Sequence, residues 1–219
     1  MTDGPEAAPA YGLWGIAILN IAVFLAFAFS FYTPRSARDW RTFGAFSAFI
    51  VALFVEMYGF PLSIFALSGW LAARYPGVDF LTHNGGHFWH TVFGLRGDPH
   101  LDVFHIVSNV LIFGGFVVLS LAWQVLWDAQ RRRRLAVAGP YRFVRHPQYA
   151  AFIAIMLGFL LQWPTLPTLV MFPILVVMYV RLARKEEADT RAAFGAEYDR
   201  WAAVTPRFVP RLRGLRHTA

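Results

Sequence analysis

The chain has 219 residues, of which 57% are hydrophobic and only 15% charged; its formal net charge is +7, its mean hydropathy +0.46, and it has no cysteine. Soluble domains carry about 25% charged residues, so this composition excludes an ordinary soluble domain, and so high an apolar content excludes a disordered chain. The absence of cysteine excludes disulfides, thiolate metal sites and a cysteine nucleophile. Of the 20 basic residues, 15 fall in 131–216 against five acids there, and Lys185 is the only lysine. A basic C-terminal part suits nucleic acid or an anionic membrane surface. In so apolar a chain, membrane lipids are the expected partner and nucleic acid is not.

Residues 13–32 form an uncharged apolar run of the length that spans a bilayer as a helix. Asp3 and Glu6 precede it, where a signal peptide needs positive charge. A second run covers 43–73 and is broken by Gly59-Phe60-Pro61. Straight, it would be about 46 Å long, more than the ~30 Å hydrocarbon core, so a kink or a second short helix is expected after Pro61. Residues 74–100 are polar, 101–127 form a third run, and 128–148 are basic. Two more apolar runs, 149–163 and 166–180, follow, the first short for a span and the second expected to bend at Pro173. From 181 the chain turns amphipathic, which reads as a cytosolic or interfacial helix followed by a basic tail.

Basic residues flank these runs mainly on one side: Arg35, Arg38 and Arg41; Arg131 to Arg134, Arg142 and Arg145; Arg181, Arg184 and Lys185. The opposite flanks hold only Arg74 and Arg96. The expectation is an all-α, polytopic bundle of about five spans, with the N-terminus outside and the C-terminus cytoplasmic. Residues 1–130 would supply the first transmembrane helices and outer loop, and 131–219 a functional C-terminal part. The preference for arginine over lysine suits a bacterial inner membrane protein.

The densest chemistry lies in Gly139-Pro140-Tyr141-Arg142-Phe143-Val144-Arg145-His146-Pro147-Gln148-Tyr149. Pro147 suits the first position of a helix, leaving His146 near the cap and free N–H groups facing the cytoplasm, a ready anion site. About 40 residues later the chain returns with Arg181, Arg184, Glu186 and Glu187. Acids and bases converging at the mouth of a helical hairpin can hold a zwitterion. Taken singly, each feature has a plainer reading: Arg131 to Arg134 as a membrane anchor, Arg184 with Glu187 as a helix-surface pair, and His146 as a cap. Their combination favours a site.

The ordered string GPYRFVRHPQY, an apolar hairpin, EE and FGAEYDRW resembles the isoprenylcysteine carboxyl methyltransferase and phospholipid methyltransferase group of membrane enzymes, over residues 135–210. This resemblance implies an S-adenosylmethionine-dependent methyltransferase with a lipophilic, membrane-accessible acceptor. It implies Tyr141, His146, Pro147, Tyr149, Glu186 and Glu187 around the cofactor, and Arg145 with Arg181 or Arg184 near the acceptor, with Glu187 also in the catalytic set. Thr190 departs from the pattern, where an apolar residue is expected. A sulfonium methyl is already activated, so such a protein mainly aligns donor and acceptor and excludes water. Tyr149 can stack on adenine or face the sulfonium. An acceptor carboxylate needs an arginine; an amine or thiol needs a base, for which His146 or a glutamate serves.

A second polar group sits at the other ends of the runs. Glu56 is an intramembrane carboxyl, a functional candidate by default. Asp102, His105 and Asn109 share a helix face, and His83, His87 and His90, with His100 nearby, have spacings that suit a metal if helical. An alternative function is therefore a non-enzymatic membrane protein binding metal or haem through these histidines. The plainer reading is a hydrogen-bonded cluster that fastens the outer loop to the bundle. A transporter is disfavoured by the lack of an inverted repeat.

Overall fold

The computed structural model describes residues 10–31 and 36–211, without the side chains of His83 and Asn84. Asp3, Glu6, Arg35 and the basic tail beyond Arg211 lie outside the described residues. Helix α1, Trp14–Phe31, contains no charge. Helix α2, Ala37–Phe54, starts with a reciprocal cap in which Ser36 accepts from the Asp39 N–H and Asp39 accepts from the Ser36 N–H. It continues through one π turn, Val55–Gly59, and stops before Pro61. Helix α3 then runs Leu62–Arg74, so the long apolar run is a spanning helix followed by a second, shorter one, as its length required.

The π turn also explains Glu56. Its carboxylate accepts the Ser63 N–H at 3.0 Å, satisfying a first-turn donor of α3 that has no partner within the helix. The Ser63 hydroxyl in turn accepts the Leu166 N–H at 2.7 Å.

Two short helices, α4 (His83–Gly86) and α5 (Phe88–Val92), lie in the polar segment. Helix α6, Val103–Arg131, is capped by the Asp102 carboxylate. Helices α7 (Pro147–Gln162), α8 (Leu166–Phe194) and α9 (Ala196–Val204) complete the all-helical fold. Helix α8 continues through Pro173 and past residue 181, so the expected separate amphipathic helix is first the last turns of α8. The break comes at Gly195, whose φ of +53° only glycine adopts without strain.

Four helical stretches are long and apolar enough to cross a membrane: α1, α2 with its π turn, α6 and α8. Helix α7, with 16 residues, is shorter, about 24 Å. It nevertheless reaches both ends of the bundle. At one end Trp89 Nε1 donates to the Leu160 carbonyl at 3.1 Å and Gln162 meets His105 at 2.8 Å; at the other, His146 and Tyr149 meet Glu187 and Glu186. These are called below the histidine end and the motif end.

Helix α7 is central because α6 lies so close to it. A Cβ on Gly158 would sit 2.8 Å from Ile112 and 2.9 Å from the Ser108 carbonyl, and one on Gly115 would sit 2.6 Å from Ile155. Fully buried Phe46, Phe49, Ile50 and Leu53 of α2, Leu119 of α6, and Phe152, Ile155 and Met156 of α7 form the core, with Tyr179 of α8. Phe24 of α1 closes it against Phe54 and Phe159, each with ring centres 5.3–5.8 Å apart from a neighbour in this group.

This close approach makes a direct prediction. Gly158→Ala drives a methyl against the Ser108 carbonyl and Ile112, forces α6 and α7 apart, and is expected to destabilise the bundle by about 1–3 kcal/mol. Reversible unfolding in detergent measures it.

Candidate active site

The motif end is built from the start of α7 and the end of α8. Pro147 occupies the first position of α7 and His146 the cap position, as the sequence implies. The imidazole, however, does not cap the helix. It bridges the two acids instead, with Nε2 3.2 Å from Glu187 Oε1 and Nδ1 3.4 Å from Glu186 Oε2. The backbone N–H groups of Arg145 and His146 are not free either. They donate to the carbonyls of Pro206 and Arg207 at 2.8 and 3.1 Å, so residues 205–208 lie across the motif as a strap.

Glu187 is the most heavily engaged group. Arg207 grips both its oxygens, Nε to Oε1 at 2.8 Å and Nη2 to Oε2 at 2.6 Å, and Arg145 Nη1 stands 3.4 Å from Oε1. Such forked, charge-assisted pairing is the strong form of this interaction. Hydrogen bonding to Glu187 raises the Arg207 pKa further above its ordinary value. Burial, and then the Glu187 charge, raises that of the Tyr198 phenol, which stays a neutral hydroxyl.

Glu186 has different company. Tyr149 donates its hydroxyl to Oε1 at 2.6 Å, and Arg38 of α2 stands 4.0 Å from Oε1 while bonding Asp189. Formal charges are therefore uneven along one wall. Around Glu187, two arginines face one acid; around Arg38, two acids face one arginine. Thr190, the departure from the pattern, donates to the Glu186 carbonyl at 2.7 Å and so leaves no polar group unsatisfied.

Arg38, Arg145, His146, Glu186, Glu187 and Asp189 line a cavity of about 760 Å³, walled also by Trp123 of α6 and by Tyr198 and Trp201 of α9. That lies within the range of small-molecule sites. Arg145 Nε, Gln148 Nε2 and Trp201 Nε1 are buried there without a hydrogen-bond partner. All three are donors, and buried donors are costly without an acceptor, so the wall suits an acceptor-bearing organic ligand.

Of the residues singled out from the sequence, Tyr141, Arg145, His146, Glu186 and Glu187 line the cavity. Pro147 and Tyr149 are buried behind it. Tyr149 has His146 on one side and Tyr179 on the other, ring centres 5.8 and 5.4 Å away, so its hydroxyl rather than its ring serves the site. Arg181 and Arg184 are exposed and not among the lining residues. They lie on the flank of α8 away from Glu186, and it is Arg145 and Arg207 that pair with Glu187. Arg133 and Arg134, read as membrane anchor, line the cavity too. Arg38, Arg207, Gln148 and Trp201 were not foreseen. The first two carry no local signal beyond basic flanks, being 148 and 20 residues from their acidic partners.

At the histidine end, the rings of His87, His100 and His105 lie 4.8–5.4 Å apart. His90 meets Asp102 at 3.1 Å and His100 meets Asp98 at 2.7 Å. Among the described residues no three such side chains are arranged to hold a metal ion. The contacts tie the loop to α6 and α7. Glu56 is far from the motif: its partner Ser63 bonds Leu166, 21 residues and about 32 Å along α8 from Glu187.

Residues 102–197 match the family model of phospholipid methyltransferases. The match begins before the region that carries the motif resemblance and ends before Tyr198, Trp201 and Arg207. No curated protein and no solved structure matches the chain.

Removing the Tyr149 hydroxyl tests the support of Glu186. Tyr149→Phe is expected to cost about 1.5–3 kcal/mol, as for a hydrogen bond to a charged group, with the fold retained. Denaturant unfolding with circular dichroism checks both.

Proposed function

We propose that this chain is an integral membrane methyltransferase that uses S-adenosylmethionine and acts on a lipophilic, membrane-accessible acceptor. The observation that carries the reading is the uneven charge of the cavity wall. Positive surplus at Arg145, with Arg207 behind it neutralising Glu187, suits a carboxylate, and negative surplus at Glu186 and Asp189 suits an ammonium or sulfonium. The cofactor's amino-acid portion has both signs. The match over 102–197 to a methyltransferase family supports the same reading.

Tyr141, His146, Glu186 and Glu187 are the groups we assign to holding the cofactor, with Pro147 and Tyr149 setting their positions. When bound, S-adenosylmethionine supplies a methyl group on a sulfonium, which leaves as a neutral thioether. The chain's own contribution is alignment and dryness. Arg145 orients an acceptor carboxylate. For an amine or thiol acceptor, His146, whose ring lines the cavity, is the group we assign to take the proton. We assign the motif end to the cytoplasm by the placement of basic residues, with the N-terminus outside, in a bacterial inner membrane. In this reading residues 131–219 form the methyltransferase-like part, and 1–130 contribute cavity walls such as Arg38 and Trp123.

Binding of S-adenosylmethionine to the purified protein is the test. Titration calorimetry is expected to give saturable binding, weakened about tenfold or more by Glu186→Gln and by His146→Ala, the loss of a charge-assisted contact. No binding by the parent protein would overturn the reading.

A further inference from the structure

We infer that Arg207 is a positioning residue for the cofactor site, and that the strap 205–208 is part of the site rather than an appendage. This rests on the cofactor assignment above. Arg207 is not among the residues lining the cavity, but Glu187, Arg145 and His146 all are. It reaches the site only through them.

Three kinds of contact converge on the strap. The Arg207 guanidinium spans both oxygens of Glu187. The carbonyls of Pro206 and Arg207 accept the N–H groups of Arg145 and His146. The Phe208 ring lies 5.8 Å from that of His146. Thr205, which starts the strap after α9, is buried.

The consequence is geometric. A carboxylate on a helix has several rotamers, and Glu187 alone would sample them. A fork closed on both oxygens leaves one orientation. In that orientation Oε1 meets His146 Nε2, so the opposite ring nitrogen faces Glu186. The order of control runs from Arg207 to Glu187, to His146, to Glu186. Glu187 thus organises the site, and Glu186, with fewer cationic contacts, is the acid left to meet a ligand's positive charge.

The experiment is a double-mutant cycle on the full-length protein in detergent, reading S-adenosylmethionine affinity by calorimetry and stability by thermal unfolding. Arg207→Met and Glu187→Gln are each expected to weaken binding about tenfold, the scale of a charge-assisted bond. Acting through one another, they are expected to be non-additive, the double variant binding no worse than about threefold below the weaker single variant. Arg207→Lys keeps the charge without the fork and is expected between parent and Arg207→Met. It carries the same cycle if Arg207→Met does not fold. Binding by Arg207→Met equal to the parent, or effects that multiply in the double variant, overturns the inference while leaving the cofactor reading intact. A parent protein that does not bind overturns both.

Discussion

The structure at the motif end depends on one carboxylate. Glu187 is nearly buried in a helix that is otherwise apolar for most of its length, and a buried charge is tolerable only when paired and hydrogen-bonded. Its partners come from two places: Arg145 and His146 before α7, and Arg207 after α9. Satisfying this one acid therefore fixes how the α7 start, the α8 end and the C-terminal strap sit together. Removing any partner leaves the others with unbalanced charge.

The packing of the bundle makes that arrangement available. Helix α7 is short, and α6 approaches it within van der Waals distance of its backbone at Gly158. A short, closely gripped helix fixes the depth of both its ends. Its C-terminal end is tied to His105 and the loop carrying Trp89; its N-terminal end holds His146 beside the acids. Tyr149, one turn in, lies between His146 and Tyr179 and directs its hydroxyl at Glu186. The aromatic core thus continues into the site without a gap, which is how a membrane helix can present a polar group in a defined direction.

The two ends of the bundle use similar residues differently. The histidine end joins imidazoles to Asp98, Asp102 and Gln162 and secures a loop to α6 and α7. The motif end leaves donors unsatisfied around a cavity and separates positive from negative surplus along its wall. Clusters of polar residues in an apolar chain are all candidates for function; what distinguishes these two is the separation of positive from negative charge along the wall of the cavity at the motif end.

The sequence by itself determined the membrane-spanning helical class, the break before Pro61, the cap position of His146 and the pairing of this motif with the acids of α8. Those follow from local rules: apolar length, proline's missing donor and helical periodicity. It could not separate the arginines. Arg181 and Arg184 stand beside the acids in the chain and face away in space, while Arg38 and Arg207 are distant in the chain, the first beside Glu186 and bonded to Asp189, the second bonded to Glu187. Helix rotation decides which flank of α8 meets the cavity, and it is set by the burial of Leu175, Tyr179 and Ala183 against the core. Only tertiary structure shows Tyr149 enclosed by rings rather than open to a ligand, or a strap taking the N–H groups of the motif. Such contacts are made between residues far apart in the chain, and no local pattern encodes them.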